Sequence, residues 1–164
     1  MGTHDPGCAA PPRQRGITYL VVLFAVVLIG LALAGAAAVW STSAARVREQ
    51  ELLWVGGQFR LALKRYYEQG PGGMPAYPMS LDQLLEDRRW PVARRHLRRM
   101  YVDPVTGVVD WQPILAPDGQ IIGVYSPSTA VPIKRAGFDD EYASFAEAKS
   151  YADWRFVFLP QLDR

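Results

Sequence analysis

Hydrophobic and polar positions divide this chain into three regimes. From Ile17 to Trp40 no charge occurs for about 24 residues, an apolar run long enough to cross a bilayer core as a helix. A polar segment, 1–16, precedes it and ends in Arg13-Gln14-Arg15-Gly16. After Ser41 polar residues return without a helix breaker, and the next proline is Pro71. Here Leu52, Val55, Phe59, Ala62, Leu63 and Tyr66 recur at spacings of three and four. That is the single apolar stripe of an amphipathic helix. The two patterns join into one predicted helix from about Ile17 to Gln69, roughly 80 Å long. Gly56-Gly57 weakens it by about 1 kcal/mol per glycine relative to alanine. The pair therefore marks either a bend or a close approach by a neighbouring sheet.

Gln69-Gly70-Pro71-Gly72-Gly73 ends the helix. Ser80 is placed to cap a short helix over Leu81 to Asp87, with Leu81, Leu84 and Leu85 facing inwards. After the interruption at Pro91, a second short helix is expected over Val92 to Met100. Val108 to Leu115 and Gln120 to Tyr125 are β-rich runs joined by Ala116-Pro117-Asp118-Gly119, which predicts a hairpin. In Trp154 to Leu159, Trp154, Phe156 and Phe158 alternate with Arg155 and Val157, a third strand. The connection from Ser126 to Ala152 is long, with a helical turn expected at Asp140 to Lys149. The fold class is α+β, a long N-terminal helix on an antiparallel sheet of three to four strands. The segments are 1–16, 17–40, 41–69 and 70–164, and the last of them, with the second half of the helix, leaves about 124 residues for one small domain.

An ordinary secretory signal has an apolar stretch of roughly 7 to 15 residues with small residues after it at the cleavage site. This run is longer, and its small residues, Gly35 to Ala38, lie inside it. Arg13-Gln14-Arg15-Gly16 followed by Ile17-Thr18-Tyr19-Leu20-Val21 instead resembles the class III signal of type IV pilins and type II secretion pseudopilins. The resemblance implies cleavage after Gly16 by a prepilin peptidase and methylation of the new terminus at Ile17. Thr18 and Gly30 stand where the family often has the same residues, as part of the helix used in the membrane and in assembly. Val21 departs from the pattern, since most members carry a glutamate there that pairs with a neighbouring subunit's amine. A carboxylate in hydrocarbon signals a function, so its absence removes one. The best-known member lacking it sits at a filament tip, which implies a minor or initiating subunit.

Downstream, Tyr77-Pro78 through Leu85 is similar to the stretch after the long helix in many pseudopilins. Asp103-Pro104 with Thr106-Gly107 resembles an element at the start of their sheet, without its tryptophan and asparagine. The resemblance implies a single-pass protein of the bacterial inner membrane, with the N-terminus cytoplasmic and the C-terminal domain periplasmic. Its partners would be the prepilin peptidase, other pseudopilins or pilins and an inner-membrane assembly platform, and its work would be in protein export. Charge alone does not orient the chain, because Arg13 and Arg15 on one side are matched by Arg46 and Arg48 on the other. The alternative is a signal-anchored periplasmic binding module with no filament role, in which Met1 to Gly16 would be retained.

Composition narrows the chemistry. With 18 basic and 16 acidic residues the chain reads as neither a nucleic-acid binder nor an acidic-ligand trap. The one cysteine, Cys8, lies in the leader behind polar residues, so neither a disulfide framework nor a lipid anchor is expected. His4 is also in the leader, and His96 stands between arginines that would discourage a further proton. Metal-hydrolase, serine-esterase and phosphate-loop motifs are missing, so neither an enzyme nor a cofactor is expected.

Arg88 to Arg99 holds six of the 18 cations. Arg94, Arg95, Arg98 and Arg99 form a candidate patch, read as a solvated or subunit-contacting surface, with phosphates as the other reading. Asp139, Asp140, Glu141 and Asp153 offer oxygen ligands suited to calcium, but the calcium loop of major pseudopilins is missing. They read better as surface carboxylates capping a helix. The aromatics Tyr66, Tyr67, Trp90, Tyr101, Trp111, Trp154, Phe156 and Phe158 are expected to fill the core.

Overall fold

The structure is a computed structural model that describes residues 15–160; within its first helix, the side chains of 15–17, 32–39 and 41 are not among those described. Expectations placed on the leader, on Cys8 and His4, and on the side chains at the Gly16 and Ile17 junction lie outside the described residues. The chain divides into two compact units, Met1–Thr42 and Ser43–Arg164.

The helix α1 runs Arg15–Glu68, within two residues of the sequence expectation at each end. In the first unit its described apolar side chains, those from Tyr19 to Leu31 and Trp40, are all exposed. Among the described residues no helix is long and apolar enough to cross a membrane.

The second unit is α+β. All six stripe residues of α1, Leu52, Val55, Phe59, Ala62, Leu63 and Tyr66, are buried in one apolar cluster with Trp111, Val124, Trp154, Phe156 and Phe158. Gly56 marks a close approach: a Cβ built there would stand 2.4 Å from the Phe156 ring. A side chain at this position would exclude the ring that seals the sheet against the helix.

The helix ends before a short 3-10 turn at Pro71–Gly73. Helix α2 is only four residues, Asp82–Leu85, with Leu84 buried and Leu81 and Leu85 packed against the core. Its N-cap is Leu81 rather than Ser80, whose contribution is its carbonyl, accepting from the Gln83 N–H at 3.2 Å.

The sheet has three strands in the order β1 (Gln112–Leu115), β2 (Ile121–Tyr125) and β3 (Phe156–Val157), all antiparallel. The Ala116 to Gly119 turn closes the hairpin, with Gly119 N–H donating to Ala116 O at 2.9 Å and Gly119 at φ 81°. β1 lies at the sheet edge, where Pro113 needs no ladder donor. It begins four residues later than the sequence pattern suggested. The reason is a closed turn over 103–110, in which Asp103 N–H donates to Val108 O, Gly107 N–H to Asp103 O and Val105 N–H to the Asp103 carboxylate.

The segment 92–100 forms bends rather than the expected helix. Its backbone groups are used elsewhere: Asp87 and Arg94 exchange hydrogen bonds of 2.8 and 3.3 Å, and the N–H groups of His96 and Leu97 both donate to Leu84 O. The expected turn near Asp140 is a 3-10 segment, Asp140–Glu147.

A candidate interaction surface

Asp87 explains how the basic segment is presented. Its side chain is buried, and Arg89 grips it with Nε to Oδ1 at 2.9 Å and Nη2 to Oδ2 at 2.8 Å. His96 Nε2 lies 3.0 Å from Oδ2. Arg89 also donates to Tyr66 O at 2.8 Å and lies 3.5 Å over the Tyr66 ring, tying the cluster to α1. Burial pushes the Asp87 carboxyl up, but the hydrogen bonds from Arg89 and His96 outweigh it and hold the group at about 2. A paired carboxylate of this kind fixes the chain locally, because removing either partner leaves a buried charge.

With His96 and Leu97 drawn inward, their neighbours Arg94, Arg95, Arg98 and Arg99 are left exposed. His96 therefore faces a carboxylate, not the cations beside it in sequence. The four arginines do not form one site. Arg94 stacks 3.8 Å over Trp90, and the charge of Arg95 acts on Glu86. Arg98 and Arg99 line an open cleft of about 530 Å³ with Trp54 and Tyr101.

The walls of that cleft are held from behind. Tyr101 accepts a 2.9 Å hydrogen bond at its carbonyl from Trp111 Nε1, and its ring meets Phe59 edge-on. Trp54, on α1, meets Tyr101 edge-on at 5.5 Å yet remains 55% exposed. Arg99 lies 5.3 Å over the Tyr101 ring. Aromatic and arginine side chains held by a rigid frame are the residues that most often anchor protein interfaces.

The candidate calcium residues are not brought together as a site. Asp153 accepts from Lys149 N–H, Ser150 N–H and Ser150 Oγ, and these bonds hold its carboxyl below the usual range. Glu141 pairs with Arg60 across the fold. Asp139 occupies the N-cap of the 3-10 segment without a side-chain cap bond, and Asp140 is exposed. Among the described residues no group of three or more His, Cys, Asp or Glu is placed to hold a metal ion.

Two residues that the sequence reading passed over are structurally decisive. Glu49 is buried and accepts hydrogen bonds from the Ile133 and Lys134 N–H groups and from Tyr151 Oη. It stands three residues before Leu52, on the stripe itself, and that periodicity was the available signal. The Tyr151 phenol is pushed up to about 12 by burial and by its bond to Glu49, so it stays a donor. Trp54 lies off the stripe and is recognisable only by its partners.

In the first unit, Thr18 and Val21 are exposed, and a Cβ added at Gly30 would meet nothing within 4 Å. Compared with protein-family models, with curated proteins and with solved structures, the chain matches none.

Proposed function

We propose that this chain is a pseudopilin-like subunit, minor or initiating, of a type II secretion or type IV pilus-type assembly, held in the bacterial inner membrane before assembly. The observation that carries the reading is the exposed apolar surface of α1, where Tyr19, Leu20, Phe24, Ile29 and Leu31 are each more than half exposed. Burying one such side chain is worth about 1.5–3 kcal/mol, so a run of them calls for lipid or for other apolar helices.

Sequence extends the argument beyond the described side chains, because the uncharged run continues to Trp40. Gly30 is a small residue on this exposed surface, the residue type that lets membrane helices approach closely. Val21 supplies no carboxylate, which fits a subunit that does not capture a neighbour's amine. The second unit is α+β, a helix stripe sealed by a small antiparallel sheet, and in this reading it is the periplasmic domain. In this account the chain acts mechanically, its helix packing among others while its domain contacts neighbouring subunits.

The test is genetic and biochemical. The protein should stay with the membrane through alkaline carbonate extraction, and deleting its gene should impair secretion or piliation. Release by carbonate, or secretion, piliation and DNA uptake that are all normal after deletion, would contradict the proposal. Membrane retention with all those activities normal would instead favour the signal-anchored binding module.

A further inference from the structure

The cations of the second unit divide by what they face. Arg60 pairs with Glu141, Lys64 with Glu68, Arg88 with Glu86 and Arg89 with Asp87. The charge of Arg95 falls on Glu86 and that of Arg155 on Asp153. Arg94 stacks over Trp90 and, like Arg98 and Arg99, stands in no ion pair among the described residues; what sets Arg98 and Arg99 apart is that both are exposed and together line one cleft with Trp54 and Tyr101.

We propose that this cleft docks a segment of a partner protein that presents carboxylates beside an aromatic or large apolar side chain. The guanidinium groups supply planar donors matched to carboxylates. Trp54 and Tyr101 supply a rigid apolar wall at low entropic cost, and Trp54 keeps half its surface open for the partner's apolar residue. The cleft is concave and its cations number two, which suits an inserted segment better than a flat lipid surface or the extended phosphate track of a nucleic acid. Near-neutral whole-chain charge means that attraction would be local and would fall as salt rises. The inference is independent of whether the first unit enters a membrane.

The experiment uses the full chain in a non-ionic detergent and a short fluorescent peptide alternating Glu and Phe, read by anisotropy. Wild type should bind, more weakly at higher salt. R98Q/R99Q and, separately, Trp54→Ala should each weaken binding by about tenfold or more. R94Q/R95Q, which removes the same charge from the same segment, should change it less than about twofold. Near-UV circular dichroism establishes that each variant keeps its packed aromatics. Three results would overturn the proposal: no binding by wild type, equal loss in both arginine variants, or binding to phosphatidylglycerol vesicles or duplex DNA without binding to the peptide.

Discussion

At Gly56 the Phe156 ring occupies the space that a methyl group would need, whereas at Gly57 the nearest atom to a new Cβ is Tyr142 Oη at 3.6 Å, an ordinary contact. Gly56→Ala should therefore lower stability by about 1–3 kcal/mol through overpacking. Gly57→Ala should raise it by about 0.5–1 kcal/mol through helix propensity. Thermal melts of the two variants should shift in opposite directions; a shared direction would refute the packing argument. The sequence offered the pair as a bend or a close contact, and could not choose because the deciding ring lies a hundred residues away. Asp87 makes a different test. Its carboxyl is held at about 2 against an ordinary 3.8, so its contribution is complete above pH 4 and lost as pH falls towards 2. Asp87→Asn should remove about 2 kcal/mol of acid dependence in that window. Denaturant titrations of wild type and variant at pH 4 and pH 2 measure it, and identical slopes with pH would show that the cluster does not act as described.

Elements with local signals were legible, and those built by distant side chains were not. The stripe of α1 and the hairpin turn each rest on residues within a few positions, so periodicity and turn chemistry sufficed. The 92–100 segment carries helix-compatible residues but spends its backbone donors on Leu84 and Asp87. No local pattern announces that tie. The same holds for Trp54 and the cleft, because a four-arginine run looks uniform in sequence while the fold splits it. Glu49 is the corresponding tie for the connection between β2 and β3, reaching Ile133, Lys134 and Tyr151 from the helix. Glu49→Ala leaves those N–H groups without their acceptor and should cost about 1–3 kcal/mol. Hydrogen exchange at the Ile133 and Lys134 amides should quicken, while exchange at the stripe residues changes no more than global stability requires. Unchanged protection at both amides would show that the connection is held by other contacts.

For the molecule as a whole, the two units pose different demands. The second satisfies its own apolar stripe with a sheet and offers a cleft of aromatics and uncompensated arginine. The first presents apolar side chains that its own helix does not cover. A subunit of a helix-packed assembly anchored in a membrane meets both demands, and the resemblance of Arg15-Gly16 before the apolar run names the processing that such a subunit would undergo. The decisive measurement is the mass of the intact membrane-extracted chain and of its N-terminal peptide, with and without an active prepilin peptidase. The account predicts a chain that begins at Ile17, methylated, when the peptidase is present and retains the leader when it is absent. A chain that keeps Met1 to Gly16 in both samples would contradict the assembly-subunit account.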